Sequence, residues 1–426
     1  MRDILLTLIF AALVPAIVRR PEIGAYAWVW VSMMNPHKLT YGFAYSLPFA
    51  QAVVVLTLLG YVFKKEKQPL PMNGGVALLL LLILWVTITS FFAIGAQDLV
   101  WDRWIFFMKT QFMLFFTLLL LRDRKQIEIL IWLIVLSIGF YGVKGGIWTV
   151  LTGGGGRVWG PAGGLIQENN SLAVALVMIL PLVYYLMGVV TKKWLRWGLI
   201  ASMVSIAFSI LGSQSRGALV ALLAMAALLG IKGKYPVRSS VALLILVAGA
   251  IAFMPATWVD RMDTIQTYSS DSSAMSRVYT WHTRWNAALD RPLVGAGFAA
   301  DNSTVFTLYA PNDPKYETYF GRAFVAHSIY FQALGEHGFP GLLLYAGLWV
   351  WVWFSAGRTA KAAEAIPGMK DWVPSLMRMC QVSMVGFCAG GAFLSMMYFD
   401  FPYYLIAIVT LTQCAIKKNT LAKPWP

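Results

Sequence analysis

The sequence predicts an all-α polytopic membrane protein, on three observations. Of its 426 residues 59% are hydrophobic and only 12% charged. Long uncharged runs recur, such as "GGVALLLLLILWVTITSFFAI" (74–94), and basic clusters fall between alternate runs. One crossing of the hydrocarbon core takes about 20 apolar residues, and a chain this poor in charge has too little polar surface to cover a soluble core. The clusters are Lys64, Lys65 and Lys67; Arg122, Arg124 and Lys125; Lys192, Lys193 and Arg196; Lys232, Lys234 and Arg238; and Lys417 with Lys418. Lys and Arg gather on the cytoplasmic side of short loops. The net charge of +15 therefore reports topology, and no nucleic-acid partner is predicted.

Taken in order, the opening "MRDILLTLIFAALVPAIVRRPEIG" has an apolar stretch but no small-residue cleavage pattern, so it is expected to stay in the mature chain. Its two apolar pieces flank Arg19, Arg20 and Pro21, and neither comfortably spans the bilayer core alone. Spans follow near 45–63, 74–94, 99–121, 126–150, 169–190, 195–212, 217–232 and 239–256, then near 327–356, 374–395 and 400–416. With the N-terminal pieces as one broken crossing this gives about twelve transmembrane helices, and one more if they are two. The expected organisation is a bundle over 1–256, a large outer loop over 257–326, and C-terminal helices over 327–426.

Three polar segments fall on the outer side: "TGGGGRVWGPAGGLIQENN" (152–170), "GSQSRGA" (212–218) and the loop from Thr257 to Ala326. The loop is too long for a simple connection. It carries Arg261, Arg277, Arg284, Arg291, Lys315 and Arg322, which the charge rule exempts in long loops. Within it "SRVYTWHTRWNAALDRP" (276–292) reads as an amphipathic helix. At 100° per residue Val278, Trp281, Trp285 and Leu289 share a face with His282, while Arg277 and Arg284 align on its flank. A helix lying in the membrane interface has the same pattern.

Arginine forks bind phosphate in bidentate geometry, and glycine backbone can approach anionic oxygens closely. Arg157 and Arg216 sit where a lipid-linked phosphate would lie, although an arginine at a helix end also snorkels. The glycine run lacks the Lys-Ser/Thr ending of a P-loop and the context of a dinucleotide fingerprint, and reads as a flexible turn. The histidines at 37, 282, 327 and 337 form no i, i+4 pair, and no Asp-x-Asp is present to hold a divalent ion against a nucleotide sugar. Asp260 and Asp263 read as solvated loop carboxylates. Metal-assisted transfer is therefore not expected. Cys380, Cys388 and Cys414 lie in apolar segments without ligand spacing and read as packing.

His327 precedes the apolar run "IYFQALGEHGFPGLLLYAGLWVWVW", at the outer mouth of a helix. An imidazole with an ordinary pKa near 6.5 can take a proton from an attacking hydroxyl, worth about 10² to 10⁴ in rate; a capping or anchoring histidine is the plainer alternative. His337, about 15 Å further along if the helix is continuous, and the intramembrane Glu336 read as structural. Gly335, Gly338 and Pro340 predict a break nearby.

Four stretches in order then carry a resemblance: "ENNSLAVALVMILPL" (168–182), "SQSRGA", "RVYTWHTRWNAALDRPLVGAGF" (277–298) and "HSIYFQALGEHGFPG" (327–341). Together they resemble the O-antigen ligase superfamily. The N-terminal "RRPEIGAYAWVWVSMMNPHKLTYGFAYSLPFAQ" (19–51) resembles its exosortase-A-associated O-glycosylation ligase branch. The resemblance implies a GT-C-like glycosyltransferase of the bacterial inner membrane. Such an enzyme transfers a glycan from undecaprenyl pyrophosphate to a hydroxyl of lipid A-core at the periplasmic face, with no metal or cofactor. Ser328 stands where many relatives have asparagine, which leaves no role there for an amide. The site expected on this basis has His327 as general base, with Arg157, Arg216, Arg277 and Arg284 on the pyrophosphate and Trp281 and Trp285 seating the loop helix against lipid or sugar. The reaction would be a single inverting displacement, because the two-step route needs a spaced carboxylate pair. Polymerisation onto a second lipid-linked glycan, transfer to a protein hydroxyl, and transport of a lipid-linked anion are the competing readings.

Overall fold

The computed structural model describes residues 1–232 and 272–421, with parts of 241–256. The span expected near 239–256 is thus only partly covered, and Lys234, Arg238, Asp260, Arg261 and Asp263 lie outside the described residues. Among the described residues all regular structure is helical, as predicted. Six helices among the described residues are long and apolar enough to cross a membrane: Gly74–Phe91, Gln97–Leu120, Arg124–Leu151, Asn169–Val189, Lys193–Gly212 and Ile329–Ala363. Phe49–Val62 and Arg216–Gly230 are apolar but shorter.

Helix ends fall where local chemistry sets them. The N-terminal pieces form two helices, Arg2–Arg19 and Pro21–Met34, broken at Arg20. Pro21 has no N–H to continue the first helix and is preset to begin the second. The Asn73 side chain accepts from Val76 N and opens Gly74–Phe91, while Asp123 and Gln126 form a capping box at the head of Arg124–Leu151, satisfying amide donors that a helix start leaves unpaired. The glycine run closes that same helix: Gly153 and Gly154 have φ of 57° and 77°, and Gly154 N donates to Thr149 O at 2.8 Å. It is a helix terminator followed by a built turn, because Gly160 N and Gly163 N donate to Gln167 O and Oε1 at 2.9 and 2.7 Å.

Asn169–Val189 is apolar on nearly all sides and is buried along most of its length, as expected of a central helix. Arg124–Leu151, Lys193–Gly212, Arg216–Lys232 and Val373–Gly391 pack around it. Ile329–Ala363 packs on Gly74–Phe91 and Val373–Gly391, and receives the loop helix Ser272–Asp290.

That loop helix exists where the sequence places it, but its buried face differs from the one the periodicity picks out. Tyr279, Thr280, Thr283, Arg284, Ala287 and Ala288 are buried, whereas Trp285 and Leu289 are exposed. Mostly small residues face inward because the helix backbone approaches its neighbour closely: any side chain on Gly335 would run into the stem of Arg284. The apolar strip of Trp285, Leu289 and Leu293 faces away from the protein.

Candidate active site

His327 immediately precedes the Ile329–Ala363 helix, whose N-cap is Ser328. Ser328 Oγ accepts from Phe331 N at 3.5 Å. Ser and Asn are both favoured N-caps, and the serine fills that capping role here. His327 has φ of 46°, a left-handed conformation uncommon for a residue with a Cβ. The surroundings hold it there: its N–H donates to Ser395 Oγ at 2.8 Å. The preceding carbonyl, of Ala326, accepts from Trp281 Nε1 at 2.9 Å. The Trp281 ring stacks on Phe331 with centroids 5.2 Å apart. Trp281 therefore joins the loop helix to the mouth.

Partial burial first, and the Arg277 charge second, bring the His327 pKa down to about 4. The imidazole is consequently neutral at pH 7 and open to a proton. Arg277 is half-buried, and its effect on His327 brings two of the expected site residues together.

Arg284, two turns along the same helix, goes elsewhere. It is fully buried, and its Nε and Nη1 have no hydrogen-bond partner. Burial lowers its pKa, and the charges of Glu336 and Asp301 work against that lowering. Asp301 in turn is gripped by Arg103 at 2.7 and 3.0 Å. Burial alone would raise the Asp301 carboxyl, but the Arg103 fork, with Arg284 adding to it, holds it below the usual carboxylate range.

Beside this pair the mouth helix breaks. Gly338 has φ 69° and ψ −170°, which frees backbone groups that must find partners away from water. The "RPLVGAGF" stretch supplies them: Ala296 N and Gly297 N donate to Gly335 O and Glu336 O at 2.8 and 2.9 Å, and Phe339 N donates to Pro292 O at 2.9 Å. Trp85 Nε1 donates to His337 O at 2.9 Å. Gly295, at φ 59°, is required because a Cβ would lie 2.7 Å from Gly335 O.

The side chains at the break are also paired. Tyr398 Oη donates to Glu336 Oε2 at 2.5 Å. With its only proton so used, the phenol oxygen accepts from His337 Nε2–H at 2.6 Å. His337 Nδ1 is then the acceptor for Thr89 Oγ1 at 2.7 Å. Thr89 also has Val86 O within 3.0 Å, so its one proton has two acceptors. His337 and Glu336 are buried and hydrogen-bonded within the protein. Their partners Tyr398 and Thr89, distant in the chain, carry no local signal.

Arg157 belongs to a third place. It is exposed, donates from Nε to Gln214 Oε1 at 3.2 Å, and lines a cleft of about 490 Å³ with Lys38 and Lys144. Gln214 belongs to the "SQSRGA" element, as does Arg216, which is half-buried at the head of Arg216–Lys232. Asn169 Nδ2 donates to Ser213 O at 2.7 Å, so the "ENNSLA" and "SQSRGA" elements touch. The four arginines thus divide: Arg157 joins the "SQSRGA" loop, Arg277 stands by His327, and Arg284 lies behind the mouth.

Residues 201–346 match the O-antigen ligase family. This supports the superfamily indicated by the motifs and, for the chain, an O-antigen ligase-type membrane enzyme. The ligase segment contains Arg216, Arg277, Arg284, the docking stretch, His327 and the broken helix. Residues 1–191, which include Arg157, Lys38 and Lys144, match a family described only as of unknown function. A search of curated proteins gives no match.

Proposed function

We propose that the chain transfers a glycan from undecaprenyl pyrophosphate to a hydroxyl of lipid A-core at the periplasmic face of the inner membrane. The observation that carries this reading is the neutral, half-buried His327 beside Arg277 at a helix mouth, within the segment that matches the ligase family. The acceptor O–H proton goes to the imidazole as the oxygen bonds to the anomeric carbon. The bond from that carbon to the pyrophosphate oxygen breaks, and its electron pair leaves with the lipid pyrophosphate. One displacement of this kind inverts the anomeric centre. Arg157, Arg216 and Arg277 are the cations assigned to the departing charge, and preorganised charge of this kind commonly supplies the largest share of such a rate enhancement. Arg284 supports the site from behind, from its place under the loop helix.

The test is transfer by purified protein in lipid, supplied with lipid-linked glycan and, in separate reactions, lipid A-core, a second lipid-linked glycan or a hydroxyl-bearing peptide. The reading expects product with lipid A-core. Product with only one of the other acceptors replaces it by polymerisation or protein glycosylation. Movement of donor across the bilayer without a new glycosidic bond replaces it by transport.

A further inference from the structure

Lys144 is out of place for a residue of a membrane helix. It lies about 10 Å before the end of Arg124–Leu151 at 1.5 Å per residue, in a stretch otherwise uncharged after Glu128. It is exposed, with no hydrogen bond or ion pair among the described residues. Ionisable groups so placed are costly and mark functional paths. Snorkelling would account for Lys144 alone, but not for its company. Lys38 and Arg157, from two other segments, line the same cleft of about 490 Å³, and no Asp or Glu lines it. Three cations without a carboxylate repel one another, and an anion between them relieves that. Lys38 is already held in position, with Nζ 3.2 Å from Tyr45 O and 3.9 Å from the centre of the Tyr45 ring, which leaves further N–H donors free.

The walls indicate what carries the anion. Trp148 and Trp159 line the cleft, and Ile147 and Leu151, 54% and 79% exposed, continue its apolar side. A small soluble anion has no use for that surface, whereas a phosphate on a long apolar chain has. Two linked phosphates match three cations better than the single charge of an ordinary phospholipid. The volume falls in the range of about 300 to 1,000 Å³ usual for ligand sites.

We propose that this cleft seats the pyrophosphate of a polyprenyl-linked donor, with Lys38 and Lys144 as phosphate ligands beside Arg157 and the Ile147, Trp148 and Leu151 wall taking the first isoprene units. This assigns a role to the segment that matches a family of unknown function. The 1–191 segment supplies the anion site, and Arg157, through Gln214, links it to the ligase segment. The proposal rests on the lipid-linked-donor reading above.

The experiment measures binding of undecaprenyl pyrophosphate to the full chain in phosphatidylcholine nanodiscs, apart from transfer. Lys144→Gln and Lys38→Gln should each weaken binding about tenfold or more, the scale of a charge-assisted contact, and Lys144→Arg should restore most of it. Inorganic pyrophosphate should bind far more weakly than the lipid form. Unchanged binding in both glutamine variants overturns the site while leaving the transfer reading intact. Equal competition by phosphatidylglycerol overturns it in favour of a bilayer-lipid site. Tight, lysine-dependent donor binding in a protein that transfers glycan to no acceptor keeps the site and removes the transferase reading.

Discussion

Two arginines seven residues apart on one loop helix have opposite surroundings. Arg277 stands half-buried at the mouth beside His327, where its charge acts on an open imidazole. Arg284 is sealed under the same helix against Gly335, with its field on Glu336 and Asp301. The contrast extends to the histidines: among the described residues the His327 ring makes no hydrogen bond, whereas both ring nitrogens of His337 are engaged, by Thr89 and Tyr398. One region sets its charge beside a partly buried imidazole. The other uses its polar groups to hold the helix break and the loop together.

The largest effect that separates these regions should come from His327. Loss of the base should lower transfer by about 10² to 10⁴ while leaving donor binding intact. His327→Asn is the sharper variant, because asparagine tolerates the left-handed backbone that alanine resists. It therefore removes the base with little change in the local fold. A kcat near that of the parent in His327→Asn would remove this residue as the base.

Arg284 should next appear as a stability effect. Truncating a fully buried side chain of this size leaves a cavity that costs about 2 to 5 kcal/mol, so Arg284→Ala should unfold at lower denaturant or temperature. Arg284→Met combined with Glu336→Gln should recover part of the loss, because no buried charge is then left alone. Arg277→Ala should change stability little and donor affinity strongly. If Arg284→Ala instead left stability unchanged and weakened the donor, Arg284 would join Arg277 as a ligand.

The sequence made the first region legible and the second only in outline. Motif order located His327 and Arg277, and Gly338 with Pro340 marked the break. Helical spacing put Arg277 and Arg284 on one flank, yet spacing says nothing of what lies opposite. The notch at Gly335 that buries Arg284, and the Tyr398 hydroxyl that reaches Glu336 from 62 residues away, arise only when distant segments pack. For the same reason the apolar face of the loop helix was not its buried face, since close approach favoured Thr280, Thr283, Ala287 and Ala288. Lys144 did carry a local signal, a lone charge in an apolar run, but the two cations that give it meaning are not local.

A smaller effect, in pH, reads the coupling within the mouth. His327 acts only when neutral, so kcat/KM should hold above and fall as pH drops through about 4. Arg277 is the second cause of the lowered value after burial. Arg277→Gln should therefore move this acid limb upward, though not to the ordinary 6.5, because burial remains. A bound pyrophosphate offsets the Arg277 charge in the same direction. The acid limb of kcat, which reports the enzyme–substrate complex, should accordingly lie above that of kcat/KM in the parent and show less separation in Arg277→Gln. The stability linkage has the matching sign: the native pKa lies below the unfolded one, so this group's contribution is complete above 6.5 and is lost as pH falls through about 4.

The smallest effect tests the cap of the mouth helix. Ser328 caps the mouth helix through its side-chain oxygen. If capping is its whole contribution, Ser328→Asn should match the parent in stability and transfer, since both residues accept from the first turn. Ser328→Ala should cost about 1 kcal/mol of stability, with a modest loss of transfer as the helix start loosens next to His327. A gain in transfer on Ser328→Asn, at equal stability, would mean that the amide touches substrate. The mouth would then recognise its ligand with one more group than His327 and Arg277 provide.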